Sequence, residues 1–183
     1  MGMLLAFAPF IAFAALHHFV GATEGLIAGA ATSMALLLRD WATPGRSPKI
    51  LEIGTAILFV ALTLYSIFGN PAWSIVGVRL CVDLGLLLIV LASIALRQPF
   101  TLQYAREQTP AEVWSSPEFV RTNYVITGVW GLAFVVFVIA DLLLLYAPSL
   151  PPRVGILATV AAFVAAIKFT GWYPERMKAR QAK

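Results

Sequence analysis

The chain has 183 residues, 60% of them hydrophobic and only 12% charged, with a mean hydropathy of +0.85. Soluble domains carry about 25% charged residues, so this composition excludes an ordinary soluble domain and describes an integral membrane protein. The net charge of +4 is no nucleic-acid signal, because the basic residues gather at the ends of apolar runs, where they set topology.

The first apolar run, about Met3–Val20, has no basic stretch ahead of it and a second apolar run directly after it. It reads as a retained helix rather than a cleaved leader. Gly21 permits a turn, and a second helix follows over about Ala22–Leu38, closing on Arg39-Asp40-Trp41. The breaker cluster Ala42–Pro48 separates it from a third helix, about Pro48–Phe68, with Ser47 as the expected N-cap and Pro48 at the first helical position. Gly69-Asn70-Pro71 ends that helix, and a fourth covers about Ala72–Leu96. A fifth opens near Pro117 with an expected capping box of Ser115 and Glu118, and its membrane part covers about Tyr124–Tyr146. Pro148, Pro151 and Pro152 precede a sixth helix, about Arg153–Trp172, and a basic tail covers Tyr173–Lys183. The expectation is a single domain over 1–183, an all-α polytopic bundle of six spans. Five spans is the alternative, with the first run re-entrant or lying flat.

Between the fourth and fifth helices lies the one long stretch that is not simply hydrophobic, Arg97–Asn123. Of the thirteen basic and nine acidic residues, six lie here, with Phe100, Tyr104 and Trp114 among them and prolines between. The mixture suits a segment at a membrane surface, with rings at headgroup depth and arginines reaching toward lipid phosphate. A solvated loop whose rings pack beneath the helix ends has the same composition. Arg39, Arg46 and Lys49, then Arg97, Arg106 and Arg121, then the basic tail fall on alternate loops. Six spans put all three groups on one side, with both termini cytoplasmic. Removing the first span keeps this segment cytoplasmic and moves the N-terminus outside.

Helix association in lipid depends on close packing. Gly21, Gly25, Gly29 and Ser33 repeat every four residues in the second helix, Gly77, Cys81 and Gly85 in the fourth, and Ala158, Ala162 and Ala166 in the sixth. These stripes are expected packing seams, within one chain or between copies. The third and sixth helices open alike, at Pro48-Lys49 and Pro152-Arg153, and close near Gly then Pro, which fits a three-plus-three inverted repeat. Cys81 is the only cysteine, so no intrachain disulfide can form.

Ionisable residues inside a membrane are costly, and each needs a reason. Arg79 and Asp83 are one turn apart on the fourth helix, and Asp141 on the fifth lies at a similar depth, toward the outer side. Glu52 opens a polar stripe with Thr55, Thr63 and Ser66, and Lys168 is its expected partner. One reading is a proton or substrate pathway through these groups; the other is that the pairs neutralise each other and fix helix register. His17 and His18 are adjacent and point about 100° apart on a helix, so they are poor joint metal ligands. No nucleophile elbow, phosphate-cradling glycine loop, Cys/His spacing or HExxH is present. No catalytic residue, metal or cofactor is therefore expected, although enzymes acting on lipids within the membrane can have sparse motifs.

The opening Phe7-Ala8-Pro9-Phe10-Ile11-Ala12-Phe13, the link Arg97-Gln98-Pro99-Phe100 with Val113-Trp114 downstream, Asn123 and Trp130 in the fifth helix, and a last helix with a basic tail form a pattern. It resembles the intracellular septation protein A family and related small bacterial inner-membrane proteins. The resemblance is spread over most of the chain. It implies a multi-pass inner-membrane protein in cell-envelope maintenance or division, acting through membrane lipids and other membrane proteins, with no catalytic residues to carry over. On this view Arg97, Tyr104, Arg106 and Trp114 are the contact residues. The competing expectation is a small transporter or channel using Arg79, Asp83 and Asp141.

Overall fold

A computed structural model of the chain describes residues 2–147, 149 and 151–181. Pro148 of the expected separator, and Ala182 and Lys183 of the basic tail, lie outside the described residues. Among the described residues there are helices, turns and irregular links but no strand. In chain order the helices are α1 (Gly2–Leu5), α2 (Ala8–Phe19), α3 (Ala22–Ala42), α4 (Ile50–Gly69), α5 (Ile75–Ala95), α6 (Phe100–Arg106), a single 3-10 turn (Ala111–Val113), α7 (Pro117–Tyr146) and α8 (Pro152–Gln181).

Among the described residues, four helical stretches are long and apolar enough to cross a membrane: Ile50–Gly69, Ile75–Ala95, Pro117–Tyr146 and Pro152–Met177. Met3–Phe19 is apolar but shorter. α3 has the length, 21 residues, but Glu24, Arg39 and Asp40 dilute its apolar character. Large apolar side chains such as Ile57, Phe68, Leu132 and Leu157 are exposed along these helices. On a soluble protein such surfaces would be a liability; on a membrane-crossing helix they meet lipid tails. The chain is a helical membrane protein.

It divides into two compact units, Met1–Ile89 and Val90–Lys183. The division falls inside α5, where there is no linker to mark it, rather than at Gly69–Pro71, where a three-plus-three repeat would divide. In the first unit α2 packs on α3 and α3 on α4. Phe13, Leu26, Phe59, Val78 and Val82 form its core, with Phe59 tilted against Phe13 and Phe10. In the second unit α6 packs on α7 and α7 on α8. Trp130 is fully buried and has Phe100, Phe134 and Phe163 around it.

Several boundaries differ from expectation, each for a local reason. The first helix breaks at Ala6–Phe7, and α2 restarts with Pro9 in its first turn, where a missing N–H does no harm. α4 starts at Ile50, with extended Lys49 rather than Ser47 at its N-cap, and the Glu52 carboxylate accepts from the Lys49 N–H at 3.3 Å. The α7 cap is Ser116, one residue after the expected Ser115; its hydroxyl accepts from the Phe119 N–H and places Pro117 at the first helical position. α8 runs through Pro174 instead of ending near Trp172. Pro174 cannot donate to the Thr170 carbonyl, and rings packed across that turn, with Phe169 stacked on Tyr173 at 5.0 Å, carry the helix past it.

Candidate functional site

A group of buried charge lies where α3 gives way to α4. Asp40, in the last turn of α3, is 0% exposed. Its Oδ1 accepts from Arg39 Nε at 2.8 Å and Nη2 at 2.6 Å, and from Arg46 Nη1 at 3.3 Å. Its Oδ2 accepts from Lys49 Nζ at 2.6 Å. Lys49, also buried, reaches Glu52 Oε1 at 3.5 Å. Thr43 closes the end of α3 by donating to the Arg39 carbonyl at 2.7 Å.

The helix ends explain why the pair needs itself. A carboxylate at a helix C-terminus and an ammonium at a helix N-terminus each face the wrong end of a macrodipole. Asp40 and Lys49 are placed in this way, and contact between them offsets both penalties. Glu52 has the favourable sign for the first turn of α4. Burial pushes the Asp40 carboxyl up, but the hydrogen bonds and charges of Lys49 and Arg39 outweigh it and hold the group down at about 2. Asp40 is therefore an anion at neutral pH, with three cations around it.

The second polar centre, at the α5–α7 segment, is neutral. Arg97 has φ 57°, the left-handed region that favours glycine. It is followed by a Gln98 N–H bond to the Ser93 carbonyl at 2.9 Å and preceded by its own N–H bond to Ile94 at 3.0 Å. This pair of bonds is the Schellman closure of α5, here with arginine in the glycine position. Ser93 Oγ then accepts from the Phe100 N–H at 3.2 Å, and Thr101 Oγ1 donates to the Asn123 carbonyl and lies 2.8 Å from Thr127 Oγ1. Asn123 donates in turn to the Phe119 carbonyl. Farther along α7, Trp130 Nε1 donates to Thr170 Oγ1 at 2.9 Å.

The expected contact residues separate here. Tyr104 is 2% exposed, together with buried Phe100, Thr101 and Leu102. α6 is thus packed into the fold, and the expected surface role of Tyr104 is corrected to a core one. Arg97 is exposed, and Trp114 is 38% exposed. The Trp114 indole donates to the Thr109 carbonyl at 3.0 Å and has the Arg106 guanidinium 5.8 Å from its ring centre. A hydrogen bond at one edge and a cation on the face fix an exposed ring in place.

The expected intramembrane charges differ in burial. Arg79 and Asp83 lie one turn apart on α5, with Asp83 buried, and Asp141 is fully buried on α7. Glu52 belongs to the network above, with Lys49 beside it, while Lys168 is exposed on α8. His17 stacks on Phe13 and bonds the Ile75 carbonyl through Nε2 at 3.2 Å; His18 meets the edge of Phe19. Among the described residues, no group of three or more His, Cys, Asp or Glu is placed to hold a metal ion.

The α3 stripe is a seam of close approach. A Cβ on Gly25 would lie 2.8 Å from the His17 Cβ and 2.9 Å from its backbone nitrogen, and one on Gly29 would lie 2.5 Å from the Phe59 ring. A Cβ on Gly21 would meet Glu24 of the same helix, and one on Gly77 would meet Ser74, just before α5. Gly85 receives Leu58 from α4, and Gly54 of α4 receives Ile89, an exchange in which Gly54 carried no expectation.

Comparison with protein-family models, with curated proteins and with solved structures finds no match to this chain.

Proposed function

We propose that this protein is a six-span component of a bacterial inner membrane, with both termini cytoplasmic, that serves envelope maintenance or septation without doing chemistry itself. Its contacts with lipid headgroups and other membrane proteins run through the exposed part of the 97–123 segment. The observation that carries this reading is Trp114, exposed yet held by Thr109 and Arg106. Fixing an aromatic side chain before it meets a partner lowers the entropy lost on binding, and Trp and Arg are enriched among residues that dominate interfaces. Arg97 adds to it, since a non-glycine residue in the left-handed region stores strain of the kind that gathers at functional positions. The sequence resemblance to septation protein A-like proteins supports the same role.

A second reading is transport. Asp83 and Asp141 are buried carboxyl-bearing side chains on helices apolar enough to cross a membrane, and such residues often mark ion or substrate paths. One experiment separates the two. In the host with the gene deleted, cell length and envelope permeability are scored after complementation with wild type, Arg106→Ala/Trp114→Ala, or Asp83→Asn/Asp141→Asn, at matched membrane levels. Rescue by the aspartate variant alone supports the contact role, and rescue by the Arg106/Trp114 variant alone supports transport.

A further inference from the structure

The α3–α4 link holds two guanidinium groups together at the surface. Arg39 and Arg46 both donate to Asp40 Oδ1, the first from Nη2 at 2.6 Å and the second from Nη1 at 3.3 Å. Two cations sharing one oxygen stand within a few ångströms of each other, a spacing they would resist without the carboxylate. Asp40 is fully buried and its other oxygen faces Lys49, so it organises the pair from beneath. The two arginine side chains stay 36% and 42% exposed. Asp40 engages two N–H groups of Arg39 and one of Arg46, which leaves the rest of each five-donor fork free of that carboxylate. Three cations around two carboxylates also leave the link with one positive charge in excess.

What adjoins the pair indicates the source of the anion. Trp41, the next residue after Asp40, is 78% exposed, and Leu38 one residue before Arg39 is 55% exposed. An exposed tryptophan and leucine beside paired arginines, at the end of a helix in a membrane protein, match the boundary between acyl chains and headgroups. A free phosphate would have no use for either apolar side chain.

We propose that Arg39 and Arg46 form a clamp for the phosphate of an anionic phospholipid, with Asp40 as the positioning residue and Trp41 seated at the headgroup boundary. Planar guanidinium forks suit phosphate oxygens, and pre-positioning both forks removes much of the ordering cost of binding. The clamp requires only that the chain resides in a membrane, and it is independent of the envelope role.

The test is lipid binding by the full chain in detergent, read by native mass spectrometry with phosphatidylglycerol and with phosphatidylcholine. Wild type is expected to prefer phosphatidylglycerol, and Arg46→Gln or Arg39→Gln to weaken that lipid about tenfold, the loss of one charge-assisted contact. Arg46→Lys should recover part of the loss, and Arg153→Gln, at the exposed start of α8, should change nothing. Melting without lipid shows that each variant is folded; if Arg46→Gln is not, Arg46→Lys and Arg39→Gln decide. Equal binding of the two lipids overturns the clamp. So does an equal loss in Arg153→Gln, which would mean that any surface arginine serves. Displacement of the lipid by an equal concentration of inorganic phosphate would overturn the lipid assignment and leave a free-anion site.

Discussion

The α3–α4 link and the α5–α7 segment both brace a junction between helices, and they do so with opposite chemistry. The first buries ions: Asp40 with Lys49 beneath it and two arginines above. The second buries hydroxyl and amide groups, Ser93, Thr101, Asn123 and Thr127, and carries its charges on the outside. A buried ion network is expensive to desolvate and fails badly when one member is lost. A neutral network contributes less per bond and tolerates more. The charged junction is thus expected to be the sensitive one, and the neutral junction the tolerant one.

The largest effect that would sharpen this contrast comes from Asp40→Asn. It takes the nearer of two carboxylates from the buried Lys49 ammonium, leaving Glu52 at 3.5 Å, and should lower unfolding stability in detergent by about 3 kcal/mol. Asp40→Leu combined with Lys49→Met should recover part of that loss, since it removes both ions of the 2.6 Å contact but also takes the Lys49 ammonium from the buried Glu52 carboxylate. If the double variant is as weak as Asp40→Asn, the pair matters for more than its charges. In the neutral junction Thr127→Val takes a partner from the buried Thr101 hydroxyl and should cost about 1–3 kcal/mol in the same measurement.

Acid should separate the junctions next. Asp40 titrates at about 2 in the folded chain against an ordinary value of 3.8. A lowered folded value means that the stabilisation is complete above about pH 4 and is lost as pH falls toward 2. Melting of wild type should therefore fall across that window by more than melting of Asp40→Leu/Lys49→Met, while the Thr127→Val decrement stays constant with pH. The smallest effect is a gain. Arg97→Gly relieves the left-handed backbone at the end of α5 and should raise stability by about 1 kcal/mol or less. If it also abolishes complementation, the strain was retained for the arginine itself.

The apolar runs were legible because length and composition alone identify a membrane-crossing helix, and Gly25 and Gly29 were legible because small residues at one-turn spacing have few other uses. The charged network was not. Asp40 and Lys49 lie nine residues apart across a breaker loop, and periodicity says nothing across a loop. The available sign was electrostatic: unlike charges at the ends of consecutive helices, each on the wrong end of a macrodipole. Tyr104 was misplaced because aromatic and basic residues interleave in the same way in an interfacial segment and in one that packs its rings inward. The Arg97 closure carried no glycine to announce it, and Pro174 read as a stop because the ring packing that carries α8 past it is not a sequence motif.

The proposed topology puts both junctions on the cytoplasmic face. The direct measurement is labelling of single cysteines with a membrane-impermeant thiol reagent, in a Cys81→Ser background, before and after cells are permeabilised. Ser47→Cys in the α3–α4 link and Ser115→Cys beside Trp114 should react only after permeabilisation, and Ala72→Cys between α4 and α5 should react in intact cells. Labelling of Ser47→Cys and Ser115→Cys from opposite faces would contradict the account.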